Sequence, residues 1–152
     1  MTPKPTGVKV TVSNRQRRRK INPRSLARIA ERALELVNDL NAQLSIVLVS
    51  DAHIAKLNAQ YHATPGPTDI LSFDYGEGQG ELIISVERAV AQARLFHSTP
   101  ARELVLYVVH GILHLHGYND LTVRDRQRMR AAERRLLARL EDDLQWLKAI
   151  LS

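Results

Sequence analysis

Val8, Val10 and Val12 alternate with Lys9 and Thr11, a period of two that predicts a half-buried strand. Asn22-Pro23 then joins an N-cap residue to a proline at the first helical position. Leu26, Ile29, Ala33, Leu36, Val37 and Leu40 keep helical spacing, so a helix is expected to run to about Asn41. From Leu44 to Ser50 both alternating sets are apolar, the mark of an interior strand. Ile54, Leu57 and Tyr61 lie on one side of a short helix that leads into the turn-rich "HATPGPTD". Two short strands, "ILSFDY" and "ELIIS", flank the glycine-rich "GEGQG" and predict a hairpin. A helix follows from Val86 to about Phe96, and Thr99-Pro100 restarts the chain as another.

The stretch from Ala101 to His116 is less plain, because "LVLYVV" alone would suit a strand. It runs on for about four turns without a breaker and ends at Gly117, a natural residue just past a helix end, so a buried helix is expected. The last helix is expected from about Thr122 to Leu151, with Met129, Ala132, Leu136, Leu140, Leu144 and Leu147 on one stripe and arginine on the other faces. The order β-α-β-α-β-β-α-α-α predicts an α+β fold: one domain over residues 1–152, a mixed sheet of about four strands packed with helices, and a loose terminus over residues 1–7.

Composition adds limits. At 152 residues the chain can bury most of a core without disulfides, and it has no cysteine, so any metal must be held by His, Asp or Glu. A cytoplasmic setting is compatible with that and is the expected one. No signal-peptide core and no run of about 18 apolar residues is present, so no membrane partner is expected. The net charge of +6 and a pI near 10.1 lean towards a polyanion such as nucleic acid.

Candidate chemistry concentrates in "VVHGILHLHGYND", Val108 to Asp120. Residues four apart on a helix stand one above the other, so His110 and His114 offer two imidazoles to one side. Zinc hydrolases draw two ligands from one helix at this spacing, and catalytic zinc adds a third protein ligand and a water. Gly117 lets the chain turn back, which brings Asp120 within range as the third ligand; His116 is the rival, but on a helix it points away. The metalloprotease pattern places a glutamate base directly after the first histidine, and here that position is Gly111.

The stretch "HGILHLHGYND" resembles the HGxLHLxGYDH signature of the YbeY family, metal-dependent endoribonucleases of ribosomal RNA maturation. "LNAQYH", "PTDILSF", "GELIIS" and Met129 with Glu133 follow in that family's order, so the similarity spans roughly Leu44 to Leu137. The resemblance implies metal ligation by His110, His114 and Asp120, with Asp120 replacing the last histidine of the signature. It implies one zinc ion, or another divalent transition metal, since a carboxylate oxygen shifts preference towards harder ions. His62 stands where the family has an arginine that meets RNA phosphate, and is taken with His110 and His114 as catalytic. Asn119 replaces an aspartate and would support a ligand as an amide; Glu81 stands where Gly-Asp is usual.

The function so implied is single-strand-specific cleavage in rRNA (16S 3'-end) maturation and ribosome quality control, with rRNA and the small ribosomal subunit as partners. Thr68-Asp69 would line the groove, unless Asp69 simply caps a turn, while Ser72 and Phe73 read as sheet residues. With 5% aromatic residues, RNA contacts would be mostly electrostatic, and "RQRRRK" and Arg124, Arg126, Arg128 and Arg130 are the candidate phosphate contacts. Two other readings stand beside this one: a non-catalytic RNA- or ribosome-binding assembly factor with a structural metal, and a metal hydrolase of another substrate.

Overall fold

The structure, a computed structural model, describes residues 7–61 and 69–141. Nine elements follow the predicted order: β1 (Lys9–Asn14), α1 (Pro23–Leu36), β2 (Gln43–Val49), α2 (Asp51–Tyr61), β3 (Ile70–Gly76), β4 (Gln79–Ser85), α3 (Val86–Leu95), α4 (Pro100–Leu115) and α5 (Val123–Glu141). The fold is α+β. Four strands form a mixed sheet in the order β1-β2-β4-β3, with β1, β2 and β4 parallel and β3 antiparallel to β4.

The two-sided apolar pattern of β2 has its reason in this topology. Leu44, Ile46 and Leu48 enter the main core with α1, α3, α4 and α5, while Val47 and Val49 enter a smaller cluster with Ile54 of α2. The hairpin between β3 and β4 turns on Glu77 and Gly78, both at positive φ (55° and 78°), the tight turn that the glycine-rich stretch predicts. No helix among the described residues is long and apolar enough to cross a membrane.

Helix α1 stops at Leu36, short of the expected Asn41. Asn38 takes a left-handed φ of 63°, so that Asn38 N–H donates to Glu35 O and Asp39 N–H to Leu34 O. That is a glycine-type helix ending made by asparagine, which tolerates the conformation because its short polar side chain bonds locally. Leu40, which kept the helical spacing, is 41% exposed. At the other end of the last helix, Leu144 and Leu147 lie outside the described residues, as do most of the expected loose N-terminus, His62 and Thr68.

The histidine-bearing helix α4 is buried as expected: Leu104, Val105, Val108, Val109 and Ile112 are all inaccessible. Thr99 caps it by accepting from the Arg102 N–H at 3.1 Å. Gly111 sets how close the helix comes to the sheet. A Cβ there would lie 2.6 Å from Leu82 Cδ2 and 2.9 Å from Ile70 Cδ1, so α4 rests on β4 and β3 through a bare backbone patch. Its far end closes through Gly117, φ 94°, with Gly117 N–H donating to His114 O and Tyr118 N–H to Leu113 O. This paired arrangement is the Schellman ending expected of glycine at that place.

Candidate functional site

His110 and His114 leave the same side of α4, one turn apart. His110 is half-buried and is held by α5: its Nδ1 lies 3.2 Å from Glu133 Oε2. A carboxylate can only accept, so Nδ1 carries the proton and the neutral ring keeps its lone pair on Nε2. The Glu133 hydrogen bond, together with its charge and those of Asp120 and Asp69, raises the His110 pKa against the opposing effect of burial. His114 is exposed in the last turn of α4.

Asp120 sits on the exposed turn beyond Gly117. Its backbone oxygen accepts from Arg126 Nη1 at 3.2 Å. Asn119 Oδ1 accepts from the Leu121 N–H at 3.1 Å and so shapes the turn around Asp120. His116 is engaged elsewhere. Its Nδ1 donates to Ile112 O at 2.7 Å and its Nε2 lies 2.8 Å from Asp39 Oδ2, tying the end of α4 to the end of α1.

The donor chemistry therefore suits a divalent ion in part. Two imidazoles share one helix face, one of them oriented by a carboxylate as metal-binding histidines usually are. Among the described residues, however, no three His, Asp or Glu side chains converge closely enough to hold an ion. Asp120 is near enough for its charge to act on His110 but is not drawn into a closed set with the two histidines.

Asp69, at the start of β3, is paired with a cation of α3. Its Oδ1 accepts from Arg88 Nε at 3.0 Å, and its backbone oxygen accepts from the Ser85 N–H. Ser85 in turn donates its hydroxyl to Asp51 Oδ1, so the ends of β2, β3 and β4 are cross-linked by polar side chains beside α4. Burial and the nearby carboxylates of Asp69 and Glu103 push the Tyr107 hydroxyl pKa well up. Ser72 and Phe73 are sheet residues, as read. Glu81 faces the side of the sheet opposite α4, where Tyr75 donates to it at 2.8 Å, so this departure from the signature lies away from the histidines.

Glu133 and Arg88 are the partners that sequence reasoning did not assign. Glu133 had a signal: it sits among the buried positions of α5, between Met129, Ala132 and Leu136, where a carboxylate needs a partner. Arg88 had none, since only the sheet topology brings it to Asp69.

Comparison with known proteins bears on the whole arrangement. The family model described as "Endoribonuclease YbeY" matches residues 11–141. A protein of that name from Symbiobacterium thermophilum is 37% identical over 131 residues, covering 76% of this chain and 84% of its own. Another, from Syntrophotalea carbinolica, is 33% identical over 145 residues, covering 88% and 97%. The solution structure of the Thermotoga maritima protein TM1509 shares the fold, with a TM-score of 0.64 over 91% of each chain at 24% identity. The matched span contains every described element from β2 to α5, the paired histidines and Glu133 included, and the chain belongs to the YbeY endoribonuclease family.

Proposed function

We infer that this chain is an endoribonuclease, and we propose that it cleaves single-stranded RNA with one divalent metal ion, zinc or another transition metal. The proposed setting is the maturation of the 16S rRNA 3' end and ribosome quality control on the small ribosomal subunit, in the cytoplasm. The observation that carries the chemistry is the His110–His114 pair on α4 with His110 Nδ1 held by Glu133. His110, His114 and Asp120 would hold the ion. When bound, a divalent cation acidifies water and polarises a phosphoryl oxygen.

The chain's own groups supply the rest. Glu133 fixes the ring of His110 so that its Nε2 lone pair faces away from α5. The exposed arginines at 124, 126, 128 and 130 offer cations to the phosphates beside the turn that carries Asp120. His62, which lies outside the described residues, would donate to phosphate in place of the family's arginine.

Two observations support this reading over its rivals. A structural metal would need a fourth protein ligand, and His116 is committed to Asp39 and Ile112. A peptide hydrolase of the HExxH type would need a glutamate at position 111, where even a Cβ would meet Leu82 and Ile70. The test is cleavage of a single-stranded 16S rRNA 3'-end precursor by the wild type and by His114→Ala, beside the same sequence in duplex form. Cleavage of the single strand alone, lost in His114→Ala, is expected; equal cleavage by both proteins would overturn the proposal.

A further inference from the structure

Residues 15–20 place five cations in six positions, Arg15, Arg17, Arg18, Arg19 and Lys20, interrupted only by Gln16. All five are exposed, and Gln16 is buried at 7%. The glutamine makes the loop. Its Nε2 donates to Asn14 Oδ1 at 2.9 Å and to Arg19 O at 2.7 Å, and its Oε1 accepts from the Arg19 N–H at 3.0 Å. Both ends are also fixed, by Arg15 N–H donating to Leu48 O and by Ile21 buried in the core before α1 begins. A merely solvated charge run needs no such scaffold; here a buried amide folds the backbone inward and turns the cations out.

Little offsets their charge. Arg18 lies 3.8 Å from Glu87 with its side chain 78% exposed, a contact of small value in water. Among the described residues, the other four cations pair with no carboxylate. Arg94 of α3 joins Arg18 and Arg19 around an open cavity of about 350 Å3 that is also lined by Val86, Val90, Ala91 and one carboxylate, Glu87. Most of these groups are guanidinium forks, which match phosphate oxygens in pairs. The loop follows β1 at one edge of the sheet, while α4 packs over β3 and β4 at the other. Three strand spacings separate β1 from β3, about 14 Å.

We propose that this loop and Arg94 form a phosphate-docking platform for single-stranded RNA, separate from the histidine site, that grips the substrate away from the bond to be cut. This rests on the endoribonuclease reading for its substrate. The test measures binding and cleavage apart, using Arg17→Ser/Arg18→Ser/Arg19→Ser, which leaves the backbone bonds of Gln16 in place. An equal-charge control is Arg134→Ser/Arg135→Ser/Arg139→Ser on α5. Binding of poly(U) is followed by fluorescence anisotropy across a salt series, and cleavage is compared on a long RNA and a short oligonucleotide.

The loop variant is expected to bind poly(U) at least tenfold more weakly, with the log–log salt slope smaller by about 2, since three phosphate contacts are lost at ~0.7 each on single strands. KM for the long RNA rises while kcat, and cleavage of the short oligonucleotide, stay as in the wild type. Wild-type affinity and slope in the loop variant, or an equal loss in the control, would overturn the platform. So would equally tight wild-type binding to phosphatidylglycerol vesicles, lost in the same variant, because the surface would then read anionic lipid as well. If the wild type binds poly(U) through the loop but cuts nothing, the endoribonuclease reading fails and the platform stands.

Discussion

Glu133 Oε2 of α5 lies 3.2 Å from His110 Nδ1 of α4, a polar side-chain bond between those helices that reaches the histidine pair. It sets which ring nitrogen is free, and with it the direction in which His110 can act. Replacing Glu133 by Gln keeps a hydrogen-bonding group but removes the charge. Metal retention through dialysis, or metal-dependent cleavage, should fall about 10–100-fold with the fold intact, as when other histidine-orienting carboxylates are changed. Titration with zinc, read beside circular dichroism, checks both halves of that expectation.

The same contact predicts a pH dependence in the metal-free protein. The folded-state pKa of His110 is raised, chiefly by the Glu133 hydrogen bond. A raised pKa adds stability that is fully present below the unfolded value, near 6.5, and is lost as pH rises through the folded value. The stability difference between wild type and Glu133→Gln, from urea unfolding of chelator-treated protein, should therefore be larger at pH 5.5 than at pH 8.5, by on the order of 1 kcal/mol. A difference that grows with pH would mean the pair does not bind a proton as described.

Gly111→Ala tests the close seating of α4 on the sheet. Three side-chain carbons of Leu82 and Ile70 lie within 3.0 Å of the added Cβ, and Leu82 is fully buried. Overpacking of this kind costs about 1–3 kcal/mol, against a gain of about 1 kcal/mol from alanine's better helix propensity. A net loss of roughly 1 kcal/mol is expected, seen as a lower urea midpoint with an unchanged slope.

His116→Ala separates the structural histidine from the pair beside it. His116 joins α4 to Asp39 at the end of α1, so its loss should lower stability by about 0.5–1.5 kcal/mol. RNA cleavage and bound metal should be unchanged, measured by gel assay and elemental analysis. A loss of metal would place His116 among the ligands instead.

These elements differ in how far the chain spelled them out. The two-sided run of β2, the hairpin glycines and Gly117 each carry a local requirement, and the structure meets it at the same residues. The end of α1 was hidden because asparagine, not glycine, takes the left-handed position at 38, while Leu40 kept the period without being buried. His110 and His114 were legible through their spacing alone. The partners of Glu133 and Asp69 were not, since they come from other elements and only the packing of α5 on α4, and the sheet topology that brings the start of β3 to α3, joins them. The role of Gln16 was hidden by its neighbours: within a run of arginines its one buried amide looks like another polar surface residue.

The most direct test of the metal-dependent endoribonuclease is a single-stranded RNA cleavage assay on chelator-treated protein before and after return of one equivalent of zinc, in the wild type and in His114→Ala. The account predicts cleavage that stops on chelation, returns with the ion in the wild type, and stays absent in His114→Ala. Cleavage that persists without metal, or that His114→Ala recovers in full, would contradict it.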